Sequence, residues 1–123
     1  MMDTIRVEQD GRGVATVTLS LPEAHNAMSA AMMDELTSFA AAPEARVVVL
    51  TGAGKSFCAG GDLRWMRAQF DADAAGRAVE GRRLAYMLKA LNEMPVPLVA
   101  RVNGAAFGGG VGLACVADVA VGV

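Results

Sequence analysis

Two short runs restrict the folds open to this chain. Arg46-Val-Val-Val-Leu50 and Leu98-Val-Ala-Arg-Val102 are almost continuously apolar. Strands with one wetted face alternate apolar and polar residues, whereas runs like these mark strands buried on both sides. Each leads into glycine-rich sequence. Thr51-Gly-Ala-Gly-Lys-Ser56 and Phe57-Cys-Ala-Gly-Gly-Asp-Leu63 follow the first, and Asn103-Gly-Ala-Ala-Phe-Gly-Gly-Gly110 follows the second. Buried strands of this kind need helices over the sheet, which predicts an α/β architecture.

The segments around these runs supply that cover. Ile5 and Val7 alternate with polar residues, then come Gly11-Arg-Gly13 and the β-branched run Val14-Ala-Thr-Val-Thr-Leu19. The pair reads as an antiparallel hairpin with a turn broader than two residues. Leu21-Pro22 ends its second strand, and Pro22 to Met28 is a loop. Ser29 is placed to cap a helix running to about Ala42, with Met32, Leu36, Phe39 and Ala40 on one face and Pro43 as its stop. Asp62 caps a short helix from Leu63 to about Met66, with Trp65 and Met66 as core by default. A long helix opens near Phe70, capped by Asp71 or Asp73. Its inner face is Leu84, Met87, Leu88 and Leu91, and Met94-Pro-Val-Pro97 ends it. Gly110 to Val116 reads as a helix with no polar side, and Asp118 to Val123 begins another strand.

The glycines raise a chemical question. Gly108, Gly109 and Gly110 leave backbone uncovered where a helix begins, and free N–H groups there favour negative charge. Such a place can hold a phosphate or an oxyanion that develops during a reaction. A tight packing turn explains the triple glycine taken alone. Gly60-Gly61 upstream alters that balance, because two such turns can each give one N–H to the same oxygen. Both follow predicted strands, and ligands of open α/β sheets sit at strand C-termini.

Other classes fit poorly. Gly54-Lys55-Ser56 resembles the end of a phosphate-binding P-loop, but the required first glycine falls at Val49. Net charge is −2 with no basic stripe, so neither nucleic acid nor a membrane surface is an expected partner. No apolar run reaches membrane-spanning length, and Met1 to Arg6 lacks a signal-peptide core. Two cysteines make no disulfide framework, and a cytoplasmic setting is expected. His25 is the single histidine, and no Cys/His spacing matches a metal site. Cys58 has no base beside it and reads as a buried small hydrophobe. Arg77, Arg82, Arg83 and Lys89 read as a solvated face, with a phosphate contact from one of them as the alternative.

Taken together, Asn26-Ala27, Phe57-Cys-Ala-Gly-Gly-Asp-Leu63, Pro95-Val-Pro97, Asn103 to Gly110 and Asp118 resemble the enoyl-CoA hydratase/isomerase (crotonase) family along essentially the whole chain. Arg101 to Leu113 and Phe57 to Met66 are most similar to its bacterial methylglutaconyl-CoA and isohexenylglutaconyl-CoA hydratase branch. The resemblance implies a spiral of β-β-α repeats, a CoA thioester substrate with no separate cofactor, and homotrimers that pair into hexamers. It assigns the oxyanion-hole N–H groups to Gly61 and Gly109. It places Ala24, His25, Ala27, Ala59, Gly60, Asp62, Leu63, Phe107 and Gly112 along the substrate, with His25 at the pocket rim.

This sequence departs from the family pattern in two ways. Gly112 stands where many family hydratases carry glutamate, and a second family glutamate would fall beyond Val123. The family is also about twice as long, so residues 1–123 read as the N-terminal part of one crotonase domain. The expected activity is hydration of an unsaturated acyl-CoA, straight or branched, through an enolate. The alternatives are an enoyl-CoA isomerase and a non-catalytic acyl-CoA-binding or assembly module.

Overall fold

The computed structural model describes residues 2–123. β1 (Ile5–Gln9) and β2 (Val14–Leu19) form the expected antiparallel hairpin, in register from Ile5↔Leu19 to Gln9↔Ala15. Its turn is held by the Asp10 carboxylate, which accepts from the N–H groups of Arg12 and Val14 and pairs with the Arg12 guanidinium. β2 then pairs in parallel with β3 (Val47–Gly52), β3 with β5 (Leu98–Val102), and β5 with β7 (Val119–Gly122). The main sheet therefore has the order β1-β2-β3-β5-β7.

One face of this sheet carries the core. Ala15, Val17, Leu19, Val48, Leu50, Leu98 and Ala100 point inward and are buried. They meet α1 (Ala30–Ala41) and α3 (Ala74–Asn92). Ser29 caps α1 by accepting from Met32 N–H at 3.2 Å, and Met32, Met33, Leu36, Phe39 and Ala40 form its buried face. Full burial of a side chain such as Leu36 stabilises by about 2 kcal/mol. Met87 and Leu91 are the fully packed residues of α3. The opposite sheet face differs from the two-sided burial predicted for β3 and β5. Val49 and Val99 are only half-buried there. They line a groove of about 370 Å3, together with Thr16, Arg101 and Val121. No helix among the described residues packs on it.

Two strands escaped sequence reading. β4 (Ser56–Cys58) and β6 (Ala105–Ala106) pair in parallel as a small second sheet. Each is too short to show periodicity, and both lie inside the glycine-rich segments. They complete a repeat. β3, β4 and the helices α2 (Leu63–Asp71) and α3 lead back to β5, and β5, β6 and α4 (Gly109–Cys115) lead back to β7. Each unit is a main-sheet strand, a short second-sheet strand and a helical return, which is the expected β-β-α spiral. α2 runs past Met66 and takes in Phe70. Ala72 is extended, and Asp73 caps α3 by accepting from Gly76 N–H at 2.7 Å. Arg77 closes the joint by donating to the Ala72 carbonyl at 2.5 Å.

Candidate active site

The second sheet brings the two glycine turns together. β4 and β6 run side by side, and Phe107 N–H donates to the Cys58 carbonyl at 3.0 Å just past their pairing. Glycine is required where the turns meet. Gly60 adopts φ +98°, and a Cβ on it would lie 2.8 Å from the Phe107 carbonyl oxygen and 3.6 Å from Gly109 N. A Cβ on Gly110 would run into the Cys58 carbonyl. The turns are thus in backbone contact, which no side chain larger than hydrogen would allow.

Two asparagines hold the floor of this arrangement. Asn26 is fully buried and adopts φ +56°. Its Oδ1 accepts from Leu21 N–H at 2.9 Å, and its Nδ2 donates to the carbonyls of Ala53 (2.9 Å) and Ser56 (3.0 Å). Asn103 approaches from the other side. Its Oδ1 accepts from Gly52 N–H at 3.0 Å, and its Nδ2 donates to Gly54 (3.1 Å) and Ser56 (3.2 Å) carbonyls. Both amides converge on Ser56, the first residue of β4, and so fix the strand that leads into Gly60 and Gly61. The Gly54-Lys55-Ser56 sequence lies in this clamped turn, with Gly54 and Lys55 exposed, rather than in a phosphate loop.

Met28 completes the frame as an isolated parallel bridge to Gly61. Its N–H donates to the Gly60 carbonyl at 2.7 Å, and its carbonyl accepts from Asp62 N–H at 2.9 Å. Gly61 N–H lies between these two bonds and donates to nothing among the described residues, and the same holds for Gly109 N–H. Two backbone donors are left open on turns that touch.

The remaining predicted residues fall around them. Asp62 caps α2, its Oδ2 accepting from Trp65 N–H at 3.0 Å. Leu63 and Phe107 are exposed, on either side of the turns in sequence. Ala24 and His25 are exposed and Ala27 half-buried. Ala59 N–H donates to the His25 carbonyl at 3.0 Å, and His25 Nδ1 lies 3.0 Å from Ser56 Oγ, which ties this loop to β4. Gly112 faces α3, where a Cβ would meet the Leu88 methyls at 3.7 Å, an ordinary contact. Cys58 is buried, and burial pushes its thiol pKa up, away from a nucleophile's role. Clefts of about 310 and 370 Å3 lie elsewhere, one between α1 and α3 and the other on the open sheet face. At the turns themselves Gly60 and Gly110 are buried, Gly61 and Gly109 are half-buried, and Gly108 is exposed.

Polar side chains tie the site to the helices. Trp65 lies against Gly61, and its Nε1–H donates to Glu80 of α3 at 2.8 Å. Arg83 pairs with Glu80 and with Asp34 of α1. The Arg83 guanidinium, with help from the Trp65 N–H, holds the Glu80 carboxyl below the usual glutamate range. Arg83 and Arg77 are therefore occupied by structural bonds. Sequence reasoning named Asn26 and Asn103 as motif residues without a role and gave none to Met28. Asn103 directly before Gly104 is a turn signal, whereas Asn26, between His25 and Ala27, has no glycine beside it. Among the described residues, no three or more His, Cys, Asp or Glu side chains are grouped to hold a metal ion. None of the helices there is long and apolar enough to cross a membrane.

Comparison with known proteins agrees with this architecture. The family model described as enoyl-CoA hydratase/isomerase matches residues 9–122. A Rhodobacter capsulatus protein named "Probable enoyl-CoA hydratase" is 45% identical over 123 residues, covering 96% of this chain and 45% of that protein. Pseudomonas aeruginosa AtuE superposes with a TM-score of 0.92 at 40% identity, covering 98% of this chain and 48% of its own. An enoyl-CoA hydratase from Mycobacterium smegmatis gives 0.88 at 36% identity, with 98% and 48% covered. The chain thus spans about half the length of the relatives it matches. With the β-β-α spiral and the paired glycine turns in place, the chain belongs to the enoyl-CoA hydratase/isomerase family.

Proposed function

We propose that the Gly61 and Gly109 N–H groups form an oxyanion hole for an acyl-CoA thioester, and that the protein hydrates an unsaturated, branched acyl-CoA. The observation that carries this reading is the pair of undonated N–H groups on two touching turns. When water adds across the conjugated double bond, a base takes one of its protons, its oxygen bonds to the β-carbon and the π pair moves toward the carbonyl. The thioester oxygen then carries the charge of an enolate until the α-carbon takes up a proton. Two fixed donors stabilise that charge where it develops, and loss of one costs about 3–4 kcal/mol of barrier. CoA enters as part of the substrate, with no further cofactor. Ala24, His25, Ala27 and Ala59 form its edge, on the loop tied to β4. Gly60, Asp62, Leu63, Phe107 and Gly112 surround the acyl thioester. In this reading the protein works in the cytoplasm as a homotrimer or a pair of trimers.

A second reading has support from the carboxylates. Asp62 is engaged in capping α2, and Glu80 is bound by Arg83 and Trp65. General acid–base catalysis contributes roughly 10²–10⁴-fold, so hydration in the first reading needs a carboxylate from outside these residues. Residues 1–123 alone are therefore expected to bind acyl-CoA weakly and to leave crotonyl-CoA unhydrated. The deciding experiment follows the conjugated enoyl-thioester absorbance with the native protein. Loss of absorbance from a branched 2-enoyl-CoA supports the hydratase. A rise from a 3-enoyl-CoA replaces it with an isomerase. Binding of acyl-CoA without either change establishes a non-catalytic binder and refutes the proposal.

A further inference from the structure

One residue touches both glycine turns. Met28 bonds the first turn through its backbone, with its N–H on Gly60 and its carbonyl on Asp62. Its side chain is 1% exposed and reaches the second turn, where a Cβ built on Gly109 would lie 2.5 Å from Met28 Cε. The methyl group therefore rests against the Gly109 α-carbon. The amides of Gly61 and Gly109 belong to segments far apart in sequence, and β4–β6 pairing sets their relation only up to Cys58 and Ala106. Beyond that pairing the turns meet through backbone, at Gly60 with Phe107 and at Cys58 with Gly110, and Met28 adds a side-chain contact at Gly109 itself.

We propose that Met28 is a positioning residue whose methyl group acts as a stop for Gly109 and thereby sets the spacing of the Gly61 and Gly109 amides. The inference rests on the oxyanion reading of those amides. Methionine suits the task because its unbranched side chain reaches across the gap, whereas leucine of similar volume ends one atom short. Gly109 does not have a positive φ, so an alanine there is opposed by the Met28 methyl rather than by its own backbone.

The test is a double-mutant cycle in the native protein, reading kcat, KM and the infrared carbonyl stretch of a bound acyl-CoA. M28A is expected to lower kcat by about 10–100-fold, as an ångström-scale misplacement does. KM should stay within about threefold, because loss of an interaction made only in the transition state falls on kcat. The carbonyl stretch should return toward its value in water. M28L keeps the core filled, carries the same expectation at smaller size, and serves where M28A fails to fold. G109A is expected to lower kcat by about 100-fold, and adding M28A should recover about tenfold, since the colliding methyl is gone. Multiplicative losses in the double mutant, or Met28 variants that change only KM or melting temperature, would overturn the proposal. If the native protein polarises the carbonyl and M28A or M28L does so equally, the Met28 inference alone falls. If the native protein shows neither polarisation nor turnover, the oxyanion reading falls and takes the inference with it.

Discussion

Asn26→Ala should be among the most damaging single substitutions outside the hydrophobic core. Its magnitude follows from three losses. Alanine at φ +56° costs about 1 kcal/mol, because its Cβ crowds the backbone in the left-handed region while asparagine tolerates it. Leu21 N–H loses the Oδ1 acceptor at 2.9 Å, and a buried donor left unsatisfied costs about 1–3 kcal/mol. The Ala53 carbonyl loses its donor as well, whereas Ser56 keeps the one from Asn103. A destabilisation of about 3–4 kcal/mol follows, a large share of a typical domain's stability. Asn26→Gly removes the same hydrogen bonds without the left-handed penalty and should be milder by about 1 kcal/mol. Urea unfolding followed by the fluorescence of the single tryptophan, Trp65, measures both. An Asn26→Ala protein within 0.5 kcal/mol of the parent would refute the clamp, with 0.5 as the usual bound for an uninvolved position. Equal losses for Ala and Gly would refute the backbone component.

Two further expectations follow from the same framework. Gly110→Ala places a Cβ on the Cys58 carbonyl, so α4 must move away from β4; a loss of about 3 kcal/mol is expected, and an unchanged melting temperature would contradict the close approach. Glu80 has a folded pKa below its unfolded value, set by Arg83 and Trp65, so its stabilisation is present above the ordinary glutamate range and lost as pH falls through the folded pKa. Glu80→Gln should flatten the acid limb of the stability–pH curve, and an unaltered limb would show that the Trp65–Glu80–Arg83 chain adds nothing.

Sequence patterns gave the hairpin, α1 with its Ser29 cap, the β3 and β5 strands and the inner face of α3 because these rest on local rules. Alternation, helical spacing and caps act over a few residues, and burial then selects the face already marked. Asp62 as a cap and Cys58 as a buried hydrophobe followed from the same local chemistry. The α2 end expected near Met66 falls at Asp71 instead, because Arg67 to Asp71 carry no stop signal. Ala72 and Asp73 break the helix, and Asp73 caps α3 as one of the two caps the sequence offers.

The residues 1–123 thus determine by themselves a mixed α/β chain with two glycine turns after parallel strands, and its family. Tertiary structure decided how those turns meet. β4 and β6 have no periodicity of their own and exist only as each other's partner. The convergence of Asn26 and Asn103 on Ser56, and the reach of Met28 from Gly61 to Gly109, link positions separated by tens of residues. Local sequence carries no distance information across such separations. Only packing the β-β-α units on one another brings those groups within hydrogen-bond and van der Waals range.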